Sequence, residues 1–169
     1  MLNSQKFPRI KTRQRGAAAV EFGIIAIVFF TLLFGIIEFG RLFYLYNTVQ
    51  EVTRRAAREA VVTWKDQPSQ DTVKSLALFG GTSLPFGAEI TANNINIEYL
   101  TASGGIPIPS PSSAAENMSA CESDPNGCIA LVRVSIVNAS YTPMVGWFAF
   151  LSVSMPPSTV TMPAESLGY

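Results

Sequence analysis

Histidine is absent from this chain of 169 residues, and cysteine occurs only twice. These absences remove the usual zinc sites and the Ser-His and Cys-His nucleophile pairs, which need imidazole groups or several thiolates. The glycine-rich stretch "FGGTSLPFG" is not followed by a lysine and lacks a strand–loop–helix context, so it does not fit a phosphate-binding loop. We therefore expect no metal and no cofactor.

Paired carboxylates are also lacking. The seven acidic residues after residue 66 are scattered along the sequence and form no recognisable pair. Carboxylates alone can catalyse hydrolysis, so a membrane-tethered enzyme remains an alternative, which a cluster of acids in a pocket would support. Because the usual acid–base groups are missing, we expect that the protein is not an enzyme.

The net charge is zero, but the basic and acidic residues are distributed unevenly along the chain. Residues 1–16 carry five basic side chains and no acidic one, whereas residues 67–169 carry seven acidic side chains against two basic ones. A basic amino end beside an apolar run is typical of the cytoplasmic flank of a membrane helix. No basic cluster with interleaved aromatic residues follows, so we expect a lipid bilayer and no nucleic acid as a partner.

Residues 17–37, "AAAVEFGIIAIVFFTLLFGII", form an apolar run of 21 residues with one charge, Glu21. As a helix this run would be about 31 Å long, which is enough to cross the hydrocarbon core of a bilayer. A buried core helix is the alternative, but the basic flank favours a membrane span. Since positive charge stays inside, the sequence predicts a cytoplasmic leader over 1–16 and a transmembrane helix over 17–40. Everything after about residue 40 should then lie outside the cytoplasm.

A cleaved secretory signal would need small residues at the far end of the apolar run. That end reads "IIEFGRLFYLY", with bulky and charged side chains, whereas the three alanines at 17–19 lie at the opposite end. The segment is therefore expected to be a membrane anchor, and any processing should occur on the cytoplasmic side.

The start of the run has a specific pattern. Gly16 follows the basic leader, and Glu21 follows after four small or apolar residues. This arrangement resembles the processing site of type IV prepilins, and residues 15–59 resemble the TadE-like branch, the pseudopilins of tight-adherence (Flp, type IVb) pili. The resemblance implies cleavage between Gly16 and Ala17, with Glu21 at the position of the glutamate that type IV pilins carry. It also implies prepilin peptidase, other pilin or pseudopilin subunits and the pilus assembly platform as partners, and a place in the bacterial inner membrane.

Two roles are open for Glu21. Cleavage would give Ala17 a free α-amine with a reference pKa of about 8. In two staggered helices, the Glu21 carboxylate of one subunit could pair with the amine of its neighbour, which would offset part of the cost of its desolvation. Alternatively, Glu21 only reaches back to the interface from the first helical turn, which costs little at that depth.

The helical pattern continues beyond the membrane segment, over residues 41–66. Apolar residues recur there at steps of three and four and form a stripe: Phe39, Leu42, Tyr46, Val49, Val52, Ala56 and Ala60. Pro68 should stop the helix, because the residue before a proline avoids helical angles. The pattern therefore predicts one helix from about residue 17 to residue 65.

Residues 67–169 are expected to form a small α+β domain. "SQDTVKSLALFGG" predicts a short helix with Ser69 as its cap. "NINIEYL" predicts a strand with Ile95, Ile97 and Tyr99 on one face, and "CIALVRVSIVN" predicts a central strand that is apolar on both faces. "STVTMP" would close the sheet, whereas "TASGGIPIPSPSSAAENMSA" is expected to be a loop.

Two further segments of this domain carry predictions. Cys121 and Cys128 enclose a strong turn sequence, "ESDPNG", and outside the cytoplasm two cysteines this close are expected to form a disulfide. The apolar segment "MVGWFAFLSV" is too short to span a bilayer as a helix. We expect it in the core or against another subunit, with membrane contact as the alternative.

The sequence as a whole therefore predicts an α+β protein with a long amino-terminal helix, whose first half spans the membrane, and a small extracytoplasmic domain with a short helix and an antiparallel sheet. By its resemblance it would be a pilin-like subunit that assembles through this helix. The alternative is a signal-anchored binding protein that is never cleaved or assembled.

Overall fold

The computed structural model describes residues 15–107, 109–165 and 167. The chain divides into two compact units, Met1–Ile37 and Glu38–Tyr169. Of the predicted leader, residues 1–14 lie outside the described residues. The first unit is described by one helical segment, and the second unit holds the remaining elements.

The longest element is helix α1, Arg15–Ala60. No proline interrupts it, and its amino-terminal part is rich in apolar residues, with a mean hydropathy of 2.6 in its most apolar window. By length and composition, α1 is able to cross a membrane, and it is the one such helix in the described part of the chain. The predicted long apolar helix is thus confirmed.

The helix ends at Ala60 rather than near residue 65. Val61, Val62 and Thr63 follow, and these β-branched side chains lose rotamer freedom in a helix. The carbonyl oxygen of Val61 instead accepts hydrogen bonds from the backbone N–H groups of Glu165 at 3.2 Å and Leu167 at 3.3 Å. The carboxyl-terminal segment therefore satisfies the end of α1.

Within the second unit, one face of α1 belongs to the hydrophobic core. The predicted stripe is correct from Val49 onward, where each of its members is buried. Phe39 and Tyr46 are exposed, however, and Leu45 is fully buried in their place. Gly87 makes room for the buried Leu45 side chain, because a Cβ atom at position 87 would collide with it.

Helix α2, Gln67–Ala77, follows a short turn. The prediction that Ser69 caps it is wrong: Asp66 occupies the N-cap position with extended backbone angles, and Pro68 lies in the first turn. A proline suits the start of a helix because the N–H that it lacks would have no intrahelical partner there. Pro68 therefore starts α2 rather than stopping α1.

Among the described residues, seven strands form three antiparallel sheets. They are β1 (Ser83–Leu84), β2 (Gly87–Thr91), β3 (Ile95–Leu100), β4 (Leu131–Ile136), β5 (Ser140–Tyr141), β6 (Val153–Ser154) and β7 (Ser158–Pro163). β1 pairs with β2 and β5 pairs with β6, while β4 lies between β3 and β7. The predicted antiparallel sheet, with "CIALVRVSIVN" at its centre and "STVTMP" beside it, is confirmed. Val132, Val134 and Ile136 of β4 enter the core that α1 and α2 complete.

A third helix was not predicted. Helix α3, Ala114–Ser123, occupies the second half of the segment that was expected to be a loop. The side chain of Ser113 accepts a hydrogen bond from the Glu116 N–H at 3.2 Å, and the Glu116 carboxylate accepts one from the Ser112 N–H at 2.7 Å. These bonds satisfy donors at the start of the helix. A serine followed by a glutamate three positions later was the available sequence signal.

Candidate functional site

The residues predicted to be processed and assembled all lie on α1. Gly16, Ala17 and Glu21 are exposed. Among the described residues, nothing outside the helix lies within 4 Å of the place where a Cβ atom would stand at Gly16. The fold described here therefore gives no steric reason for glycine at position 16. Ala17 and Glu21 are four positions apart, so they lie on the same face of the helix.

Over residues 16–37, the described surface of the first unit is largely apolar. Its bulky side chains are exposed, as shown by Phe22 at 73%, Ile25 at 66% and Ile36 at 71%. A contiguous apolar surface of this kind is unfavourable in water and is typical of segments that contact lipid or other proteins. The arrangement can serve for membrane insertion and for packing against other apolar helices.

A buried charge lies at the first residue of the second unit. Glu38 is 2% exposed. Its carboxylate accepts hydrogen bonds from the hydroxyl group of Tyr141 and from the backbone N–H groups of Met144 and Val145, both at 2.8 Å. Hydrogen bonds of this kind compensate a buried carboxylate for the loss of water. The sequence around Glu38 gives no sign of this site, because its partners lie more than 100 positions away in the chain.

Arg41, one helical turn further along α1, binds the same part of the domain. Its guanidinium group donates to the carbonyl oxygens of Thr142 at 2.7 Å and Phe86 at 3.1 Å, and it pairs with the Glu89 carboxylate. The guanidinium carbon also lies 5.1 Å from the ring centroid of Tyr141. Together with Glu38, this arginine ties α1 to the β1–β2 turn and to the segment after β5. In the sequence, the only local sign of these contacts was a glutamate and an arginine three positions apart, just after the apolar run.

The environment of Tyr141 keeps its phenol protonated. Burial raises the pKa of the Tyr141 phenol to about 12, and its hydrogen bond to Glu38 acts in the same direction. A phenol that keeps its proton remains a donor to the carboxylate. The Glu38 carboxylate therefore accepts from neutral donors, and the cationic Arg41 guanidinium group lies 3.9 Å away.

The segment "MVGWFAFLSV" is not part of the core, so that half of its prediction is wrong. It contains a 3₁₀ helix, Gly146–Leu151, none of whose residues is buried. The backbone N–H of Phe148 donates to the Val145 carbonyl at 2.9 Å, which helps to close the 3₁₀ turn. The segment is thus an ordered, apolar and exposed surface of the second unit.

Cys121 of α3 and Cys128, just before β4, are joined by a disulfide. In the part of the chain that the structure describes, no group of three or more His, Cys, Asp or Glu side chains could hold a metal ion. The disulfide is a covalent link between α3 and Cys128 across the turn that Asp124 and Gly127 close with a backbone hydrogen bond of 2.9 Å.

Comparison with known proteins adds one finding. Residues 16–58 match the family model described as TadE-like protein. The match covers α1 from Gly16 to Arg58, a range that includes Glu21, Glu38 and Arg41, and it confirms the TadE-like resemblance drawn from the sequence. No curated protein and no solved structure gives a significant match to the chain. The match is therefore confined to the amino-terminal helix, and residues 67–169 lie outside it.

Proposed function

We propose that this protein is a prepilin-like subunit, a pseudopilin or minor pilin, of a tight-adherence type IVb pilus or a related secretion system. The observation that carries the proposal is the TadE-like match over residues 16–58. The match falls on helix α1, many of whose apolar side chains within the first unit of the chain are exposed. Such a surface is suited to lipid before assembly and to neighbouring helices afterwards. The protein would then have a structural rather than an enzymatic role.

Processing is the first step of the proposed function. Prepilin peptidase would cut between Gly16 and Ala17 and remove the basic leader. The open space around Gly16 supports this proposal, because the described fold itself does not require glycine there. The free amine of Ala17 would then lie one turn from Glu21, on the same face of α1.

Assembly is the second step. The Glu21 carboxylate of one subunit would pair with the Ala17 amine of a neighbour, which would set the stagger between adjacent helices. A charge pair in a medium of low dielectric constant fixes register when both partners are desolvated together. The pilus assembly platform and other pilin subunits are the proposed partners.

The proposed location is the bacterial inner membrane, with the leader in the cytoplasm and the second unit in the periplasm or outside the cell. The Cys121–Cys128 disulfide supports this orientation, since disulfides persist in oxidising compartments and are rare in the cytoplasm.

The intact mass of the mature protein, isolated from membranes or sheared filaments, tests the proposal. The proposal expects a chain that starts at Ala17. Gly16→Trp should block cleavage, while Gly16→Ala is the matched milder change at the same position. A mature protein that still starts at Met1 in cells with active prepilin peptidase would contradict the proposal and favour an unprocessed signal-anchored binding protein.

A further inference from the structure

The most exposed apolar side chains of the second unit are concentrated in two segments. Among its described residues, the large apolar side chains that are more than two-thirds exposed are Phe86 (85%), Met144 (80%), Phe150 (77%), Ile106 (74%) and Trp147 (68%). All but Ile106 belong to the β1–β2 turn or to the segment 144–150. Single apolar residues scattered over a surface are normal, but apolar residues concentrated in two segments indicate a contact surface.

Both segments are fixed to the same turn of α1. The Glu38 carboxylate accepts from the backbone of Met144 at 2.8 Å, and the Arg41 guanidinium group donates to the carbonyl oxygen of Phe86 at 3.1 Å. Glu38 and Arg41 are three positions apart on the helix. The two apolar segments therefore lie at one level along α1, at the first turn of the second unit.

That turn follows the apolar run directly, since Ile37 is the last residue of the run and Glu38 is the next residue. In a helix whose apolar run spans a bilayer, this is the position at which the chain leaves the hydrocarbon core. Exposed aromatic residues then follow on α1: Phe39, Phe43, Tyr44 and Tyr46. Aromatic residues concentrated just beyond an apolar run are typical of a membrane–water interface.

The β1–β2 turn presents Phe86 at the surface. Its φ angle is +57°, in the left-handed region where glycine is usual. The ring gains little burial within the protein in return, since the side chain is 85% exposed and its aromatic neighbour, Tyr44, is 6.5 Å away between ring centroids. Strained residues persist where the surrounding structure or a function maintains them. The two-residue connection between the paired residues Leu84 and Gly87 maintains this conformation, and it leaves the ring at the surface, open to an apolar partner outside the protein.

The chemistry of the second segment suits lipid. Residues 134–164 contain no Asp, Glu, Lys or Arg. The turn itself satisfies part of its backbone, with bonds from Phe148 to Val145 at 2.9 Å and from Ser152 to Ala149 at 3.2 Å. Uncharged segments whose polar backbone groups are paired enter the interface at a lower cost.

We propose that Phe86, Met144, Trp147 and Phe150 form a membrane-contact patch that seats the second unit on the interfacial region of the bilayer. The patch partitions its rings and its methionine into the headgroup and upper acyl region, next to the point where α1 leaves the membrane. This inference rests on the membrane insertion of α1 that the proposed function includes, but not on processing or assembly. Flotation of the chain with lipid vesicles tests insertion separately.

The two tryptophans of the chain, Trp64 and Trp147, provide a matched comparison. Trp64 follows the end of α1 and packs against the core, so it should lie away from lipid. Trp64→Phe leaves Trp147 as the single reporter, and Trp147→Phe leaves Trp64. Each full-length variant is reconstituted at low density into phosphatidylcholine–phosphatidylglycerol vesicles, with or without bromine atoms on the upper acyl chains.

The proposal expects brominated lipid to quench Trp147 several-fold more strongly than Trp64, at densities where copies of the chain rarely meet. It is overturned if both tryptophans respond alike, or if Trp147 stays open to an aqueous quencher and insensitive to bromine. It is also overturned if Trp147 becomes protected only at high density, because its partner is then another copy. If Trp64→Phe disturbs folding, the difference between the unaltered chain and Trp147→Phe gives the same signal.

Discussion

The carboxylate of Glu38 accepts a hydrogen bond from the hydroxyl group of Tyr141, although the two residues are 103 positions apart in the chain. The same hydroxyl group lies 3.1 Å from the carbonyl oxygen of Glu38. Tyr141 thereby connects β5 to α1 at the point where the compact second unit begins. Removing one member of such a network leaves a buried partner with fewer hydrogen bonds.

Replacement of Tyr141 by phenylalanine should destabilise the second unit. The change removes the donor but leaves the buried Glu38 carboxylate, so we expect a loss of about 1–3 kcal/mol in the free energy of unfolding. Urea titration of the full chain in detergent, followed by tryptophan fluorescence, measures it. The matched control is Tyr44→Phe, because the Tyr44 hydroxyl also donates to a carbonyl, that of Pro85 at 3.1 Å, at an exposed site. Equal losses in the two variants would contradict a special role for the Glu38 network.

High pH should weaken the fold through the same residue. The ordinary pKa of tyrosine is 10.0, and that of folded Tyr141 is raised to about 12, mainly by burial. Because the folded chain keeps a proton that the unfolded chain releases, this contribution to stability is complete below pH 10 and is lost as the pH rises through about 12. The pKa of Tyr99 is also raised to about 12, by burial and by the charge of Asp66.

We therefore expect the free energy of unfolding to fall with pH across this alkaline window. Tyr141→Phe should make the fall shallower without abolishing it, since Tyr99 still contributes. Urea titrations at a series of alkaline pH values measure the slope for the unaltered chain and for the variant. A slope that Tyr141→Phe leaves unchanged would show that Tyr141 ionises as freely in the folded chain as in the unfolded one.

The β1–β2 turn offers a test of backbone strain. Phe86→Gly and Phe86→Ala remove the same ring, but only glycine adopts a φ angle of +57° without steric cost. We expect the glycine variant to be more stable than the alanine variant by about 1 kcal/mol, measured by urea titration. If alanine is tolerated as well as glycine, the turn relaxes when the ring is removed and Phe86 holds no strained conformation.

The disulfide between Cys121 and Cys128 should be fully formed in the native protein. Thiol labelling without reductant is expected to find no free cysteine. Replacing both cysteines by alanine should lower the free energy of unfolding by about 2–3 kcal/mol, because the unfolded chain is no longer restricted by the loop. Full labelling of the native protein would place the second unit in a reducing compartment and reverse the proposed topology.

The pairing proposed for Glu21 predicts a defect in assembly alone. Glu21→Gln keeps the shape of the side chain and lowers the cost of membrane insertion, but it removes the charge that attracts a neighbour's amine. Insertion and cleavage should therefore be normal while pili become few, as counted after complementation of a deletion strain at matched membrane levels. Glu51→Gln is the control, since Glu51 is an exposed glutamate on the same helix, paired with Arg55. Normal piliation with Glu21→Gln would instead favour a glutamate that only reaches to the interface.

Elements with a strong local pattern could be predicted from the sequence. The apolar run identifies α1, and alternation with β-branched residues identifies β3, β4 and β7. Helix α3 also had a local signal in Ser113 and Glu116, but its proline- and serine-rich surroundings outweighed that signal. Pro68 was compatible with two structures, because a proline can follow the end of one helix or lie in the first turn of the next.

The Glu38 network could not be predicted in the same way. A glutamate at the end of an apolar run looks like a boundary residue, and nothing nearby in sequence shows that it is buried. Its donors, Tyr141, Met144 and Val145, become neighbours only when β5 and the segment after it pack against α1. Information of this kind resides in long-range packing rather than in local periodicity.

The bonds from Glu165 and Leu167 to the carbonyl oxygen of Val61 have a consequence for the order of folding. Synthesis proceeds from the amino end, so the end of α1 emerges about a hundred residues before the segment that satisfies it. Leu167, 2% exposed, and strand β7 are also needed to complete the core and the central sheet. Because these contacts are distant in sequence, the second unit cannot reach its final packing before β7 and Leu167 have been made. A chaperone that binds the emerging chain would therefore encounter an incomplete sheet until β7 has been made.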